Sequence, residues 1–125
     1  MVADTDVLIW FLRGKSSAHE LLEECAPIHL SAVTYMELAQ GARSRNELRL
    51  LRQTIRESGW RIEPVTESMS FRAIALIESH ALAHGLRLAD ALIAATALEL
   101  GLTLITGNVR HYRVLPGISL RRFSP

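Results

Sequence analysis

Short apolar runs and longer stretches of helical periodicity take turns along this chain, and most of the changes are marked by a capping residue, a glycine or a proline. Met1 to Ala3 is apolar and stops at Asp4, after which Val7, Leu8, Ile9, Phe11 and Leu12 suit a buried strand running into a helix. Ser17 to Glu24 reads as a helix ended by Pro27, and Ile28 to Leu30 as a second strand. From Thr34 to about Ala42 the spacing is helical, and Thr34-x-x-Glu37 has the form of a capping box. Asn46 to Ser58 predicts an amphipathic helix closed by Gly59, with Leu48, Leu51 and Ile55 on one face. Arg61 to Val65 reads as a third strand, and Thr66 caps a helix that Gly85 stops. Leu88 to Leu100 is an Ala-rich helix ending at Gly101, Thr103 to Thr106 a fourth strand, and Ile118 to Arg122 a last, edge strand after the Pro116-Gly117 turn. Strands separated by helices imply an α/β domain with a short parallel sheet of four to five strands between helices. In such sheets ligands gather outside the carboxyl ends of the strands, where Asp4, Asp90 and Asn108 all fall by this reading.

Composition narrows the classes. A chain of 125 residues makes one domain, spanning 1–125. A net charge of +1 gives no global attraction for nucleic acid, so any such affinity is local. Lys15 is the single lysine; the remaining cations are arginines, whose planar fork suits phosphate or carboxylate. Cys25 stands alone, which excludes an internal disulfide and a thiolate metal cluster and points to a reducing, cytoplasmic setting. No signal peptide is visible, and the longest nearly uncharged run, Ala91 to Leu98, falls far short of the ~20 apolar residues of a membrane span.

The acids are distributed unevenly. Asp4, Asp6 and Asp90 are the only aspartates among thirteen acidic residues, and Asp4 and Asp90 lie in apolar company, where charges seldom sit without a partner. Taken singly, each has an ordinary explanation: a strand-end turn or cap for Asp4, a solvent-facing or capping role for Asp6, the helix dipole for Asp90 and the capping box for Glu37. Taken together, carboxylates meeting at one sheet edge repel by about 4 kcal/mol per pair at ~4 Å and an effective dielectric near 20. A divalent cation removes that repulsion. All-oxygen ligation suits Mg²⁺ or Mn²⁺, which can polarise a phosphoryl oxygen and activate a water, so phosphodiester hydrolysis is the natural reaction.

Four segments carry a family resemblance: Ala3-Asp4-Thr5-Asp6-Val7-Leu8-Ile9, Ser31-x-x-Thr34-x-x-Glu37-Leu38-x-x-Gly41, Asp90-Ala91-Leu92-Ile93-Ala94-Ala95 and Thr106-Gly107-Asn108-x-x-His111-Tyr112. In this order and spacing they resemble PIN-domain toxins of the VapC type. The resemblance implies helices around a short parallel sheet, with Asp4, Glu37 and Asp90 as catalytic metal ligands and Thr106 as a supporting hydroxyl. Asn108 falls at the family's variable fourth acidic position as a further ligand or water-holder, and Asp6 has a supporting role. It further implies Mg²⁺- or Mn²⁺-dependent endoribonuclease activity, silencing by a VapB-like antitoxin, and a homodimer.

The sequence admits two rival readings. Asp4-Thr5-Asp6 has the DxD form of a phosphotransferase, yet the lysine and later acidic pair that such enzymes require are absent. A non-catalytic RNA-binding or regulatory module of the same fold is the other, and loss of acids would be its mark. The stripe Arg45, Arg49, Arg52 and Arg56 is a candidate RNA contact, although such a face is more often simply solvated. Trp10 and Phe11 read as core, Cys25 as a small buried hydrophobe, and His111 as a group that could meet a phosphate rather than a metal.

Overall fold

A computed structural model describes residues 1–125. Five short strands, β1 (Val2–Ala3), β2 (His29–Ser31), β3 (Arg61–Glu63), β4 (Leu104–Thr106) and β5 (Leu120–Arg122), form one sheet. Every neighbouring pair is parallel, and the order across the sheet is β3-β2-β1-β4-β5. The first strand is thus central, and the last lies at an edge, the place its alternating pattern predicts. The helices are α1 (Thr5–Leu12), α2 (Ser16–Glu24), α3 (Ala32–Gln40), α4 (Arg45–Ser58), α5 (Glu67–His84), α6 (Leu88–Leu100) and α7 (Val109–Tyr112).

The two-residue period of the strands sorts side chains into two cores. Val2 and Leu104 point into one, shared with α5, α6 and Tyr112 of α7. Ala3, Leu30 and Ile105 point into the other, with Val7, Leu8, Leu22, Leu51 and Ile55 of α1, α2 and α4. Helix α6 is the most enclosed, because Ala91, Ala94, Ala95 and Ala97 are fully buried and let its backbone approach closely. Two helix ends show why composition predicts the stops: Gly85 and Gly101 have φ of 65° and 66°, a left-handed conformation that glycine adopts without the Cβ penalty.

Three local readings change. Helix α3 starts at Ala32, with Ser31 as its cap accepting from the Val33 amide at 3.1 Å, so Thr34 lies inside the helix and the Thr34–Glu37 capping box does not form. The Ser31 hydroxyl, two residues upstream of Val33, wins the capping role. Strand β3 ends at Glu63 rather than Val65, which packs against the α5–α6 core. The four-residue α7 is too short to leave a periodicity signal in the sequence. No helix is long and apolar enough to cross a membrane.

Candidate functional site

Asp4 follows central strand β1 and caps α1. One carboxylate oxygen accepts the Thr5 amide at 2.8 Å, and the other accepts the Thr106 hydroxyl from the end of β4 at 2.8 Å. The residue is 7 % exposed. Burial first, then the charge of Asp6, pushes its pKa up to about 7; the two hydrogen bonds pull it down and Asp90 adds a further upward push. A carboxylate this deep, beside two others, is costly to ionise without a counter-ion.

Asp6 lies in the first turn of α1 and is only partly buried, yet it is not simply solvent-facing. Its Oδ2 accepts the Gly107 amide at 3.0 Å, Oδ1 is buried without a partner, and burial raises its pKa. A Cβ on Gly107 would lie 2.6 Å from Asp6 Oδ2, so a larger residue there would push the Asp6 carboxylate off the Gly107 amide.

Asp90 belongs to the first turn of α6, and its Oδ2 takes the Arg87 amide at 3.4 Å, so the ordinary helix-start role is part of its function. It also pairs with His111 Nε2 at 2.9 Å, and its Oδ1 accepts from the Tyr112 hydroxyl at 3.4 Å. Tyr112 is fully buried; burial, then the charges of Asp4 and Asp90, drives its ionisation far above the usual phenol range, so it remains a donor.

Glu37 stands differently. It is exposed on α3 and accepts the Thr5 hydroxyl at 2.8 Å, with the buried Thr34 hydroxyl 3.1 Å from that of Thr5. Thr5 therefore touches two acids, Asp4 through its amide and Glu37 through its hydroxyl. Asn108 is exposed; its amide donates to the Thr106 hydroxyl at 2.9 Å.

The chain thus brings Asp4, Asp6 and Asp90 to the carboxyl edge of β1 and β4, whereas Glu37 joins them only through Thr5. No three carboxylate, imidazole or thiolate groups stand together as ligands of one ion. Asp4 feels the charges of Asp6 and Asp90, while Glu37 is linked to Asp4 only through Thr5. This donor set nevertheless fits a hard cation, because Mg²⁺ is ordinarily held by one or two carboxylates and keeps several waters. The buried, proton-hungry Asp4 beside Asp90 and the unpartnered Asp6 oxygen are the features a cation would relieve.

The arginine stripe lies on α4, outside this cluster. All four side chains are exposed, Arg49 donating to Asn46 at 2.6 Å and Arg52 to the Tyr35 hydroxyl at 3.4 Å. Trp10 and Phe11 pack against the α1–α2–α4 core, and Cys25 is buried, in line with their bland readings. The sequence pattern gives no role to Thr5 or Tyr112, and His111, one turn after Asn108, meets Asp90 rather than a phosphate in this structure.

Comparison with known proteins places these features in a family context. The model described as "PIN domain" matches residues 1–115. Ribonuclease VapC10 of Mycobacterium tuberculosis is 34% identical over 116 residues, covering 90% of this chain and 85% of that protein. Ribonuclease VapC19 of the same organism is 32% identical over 120 residues, covering 92% of this chain and 94% of that protein. Among solved structures, a toxin–antitoxin complex from Klebsiella pneumoniae contains a chain with a TM-score of 0.79 and 30% identity, covering 94% of this chain and 93% of that one.

Proposed function

The chain belongs to the PIN-domain family, and from that premise we propose that it is a metal-dependent endoribonuclease, the toxin of a toxin–antitoxin pair. The observation that carries the reading is the buried Asp4 at the carboxyl end of the central strand, its pKa raised to about 7 by burial, by the charge of Asp6 and, least, by that of Asp90. Asp4 and Asp90 would hold Mg²⁺ or Mn²⁺, with Glu37 and Asn108 contributing from the rim and Asp6 and Thr106 in support. When bound, the ion lowers the pKa of a water and takes up negative charge developing on the phosphate. Thr106 and the Thr5 amide keep the Asp4 carboxylate oriented, and the Tyr112 hydroxyl reaches one oxygen of Asp90. Fixing these oxygens beforehand removes reorganisation from the reaction step.

The related Klebsiella structure is a toxin–antitoxin complex, and a VapB-like antitoxin is the proposed partner here. A groove of about 720 Å³ runs up to Glu37 between α1, α3 and α4, lined by Ile9, Leu12, Leu38 and Leu50; we assign it to an apolar segment of that antitoxin. Exposed Phe71 and Ile74 on α5 supply apolar surface for the proposed homodimer. The α4 arginines are proposed as accessory contacts to the RNA backbone, and the cytoplasm as the site of action.

Titration of RNA cleavage with Mg²⁺ and Mn²⁺ tests the reading. Activity is expected to require the ion and to fall more than about 100-fold in Asp4→Asn and Asp90→Asn. Full cleavage in either variant removes that residue from the mechanism. The separation of Glu37 from the aspartates favours one second reading, a non-catalytic RNA-binding module, and RNA binding without cleavage at any metal concentration would select it.

A further inference from the structure

One seven-residue segment holds every aspartate in the chain. Thr106 donates to Asp4, the Gly107 amide to Asp6, and His111 and Tyr112 reach Asp90. The segment is itself folded back at its start by the bond from the Asn108 amide to the Thr106 hydroxyl, and α7 then turns two consecutive rings towards α6. Of these contacts the His111–Asp90 pair is the one made by a side chain whose chemistry goes beyond simple capping. An ionised carboxylate only accepts, so Nε2 of His111 carries the proton and donates it to Oδ2. Both side chains are about a quarter exposed, shielded enough for the bond to hold a defined geometry and open enough for the carboxylate to face a ligand.

We propose that His111 is a positioning residue: it orients the Asp90 carboxylate for the site described under the proposed function, on which this inference rests. A carboxylate at a first helical turn has a free χ2 and competes for its own backbone amides. The Arg87 amide at 3.4 Å is too long to fix it, and Tyr112 at 3.4 Å restrains only the other oxygen. The short bond from α7 selects one carboxylate plane and ties it to the segment that fixes Asp4 and Asp6. Polar groups that orient metal-binding side chains are worth 10- to 100-fold in metal affinity or activity as a rule.

Two variants separate positioning from bulk. His111→Phe keeps the ring and removes the donor; His111→Gln restores an N–H at a comparable reach. In metal-free, ¹³C-labelled protein, the Asp90 side-chain carboxyl resonance is expected to shift and broaden in His111→Phe and to return towards the wild-type position in His111→Gln. With Mn²⁺ followed by electron paramagnetic resonance, His111→Phe is expected to bind at least about tenfold more weakly and His111→Gln within about threefold of wild type. In RNA cleavage the loss in His111→Phe is expected in kcat with KM little changed. An unmoved Asp90 resonance in His111→Phe overturns the proposal, as does a His111→Gln protein no better than His111→Phe. A wild-type protein that neither binds Mn²⁺ nor cleaves RNA overturns the proposed function instead, and the resonance of Asp90 still decides the role of His111.

Discussion

The three aspartates and Glu37 serve the same edge of the sheet but are held in opposite ways. Asp4, Asp6 and Asp90 come from α1 and α6, flanking the two cores, and are gripped from one side by the segment Thr106–Tyr112, with Asp4 almost wholly enclosed. Glu37 extends from an exposed face of α3 and is restrained by one hydroxyl. The first arrangement gives geometry in advance and places negative charge where water screens it only in part, least of all at Asp4. The second keeps a carboxylate movable at little energetic cost. A site that holds a strongly hydrated cation and must also admit a polymer has use for both, a fixed base and an adjustable rim.

The largest effect that separates the two arrangements is electrostatic. The folded-state pKa of Asp4 is raised to about 7, so the folded chain holds this proton more tightly than the unfolded chain does. The resulting penalty is absent below the unfolded value near 4 and complete above about 7; wild-type stability falls across that window because of this group, by on the order of 4 kcal/mol. In Asp4→Asn that loss disappears. Denaturant unfolding is expected to show the variant more stable than wild type at pH 8, with the difference closing towards pH 4, while cleavage is lost at every pH. Glu37→Gln is expected to show no such pH-dependent gain, and an equal gain there would erase the contrast.

Removing the grip rather than the charge comes next. Thr106→Val keeps shape but deprives Asp4 of its buried donor and Asn108 of the acceptor for its amide, a loss of about 2 kcal/mol for a bond to an ionised group. Gly107→Ala places a Cβ 2.6 Å from Asp6 Oδ2, and the overpacking is expected to cost about 1 to 3 kcal/mol. Shortening the opposing side chain in an Asp6→Ala, Gly107→Ala double variant is expected to recover much of the steric part, so that a double-mutant cycle gives a clear coupling energy. Additive losses would mean that loop and carboxylate do not meet.

The sequence made the sheet legible because its period is visible even in two- and three-residue strands: Val2 and Ala3, Leu104 and Ile105, go to opposite cores. It made the aspartates conspicuous because charges among apolar neighbours need partners. What it concealed lay in non-local hydrogen bonds. Nothing in a linear reading ties His111 to Asp90, twenty-one positions away, or Thr5 to Glu37, thirty-two away. The Thr34–Glu37 spacing matched a local rule that Ser31 had already satisfied, so a correct motif was attached to the wrong bond. Short-range rules locate where helices begin; they do not say which hydroxyl a side chain finally meets.

The smallest expected effect tests the looser half of the site. Thr5→Val retains the β-branched shape and the backbone amide that binds Asp4, and it removes the hydroxyl standing between Thr34 and Glu37. Because Glu37 is exposed, water replaces the lost bond, and thermal or denaturant unfolding is expected to move by no more than about 1 kcal/mol, well below the Thr106→Val change. The consequence is expected in order rather than stability: the Glu37 side chain samples more rotamers by ¹³C relaxation, and RNA cleavage falls by about tenfold through kcat, with Thr5→Ser close to wild type. A Thr5→Val protein as unstable as Thr106→Val would show that Glu37 is as firmly built in as the aspartates, and the division between fixed base and adjustable rim would fail.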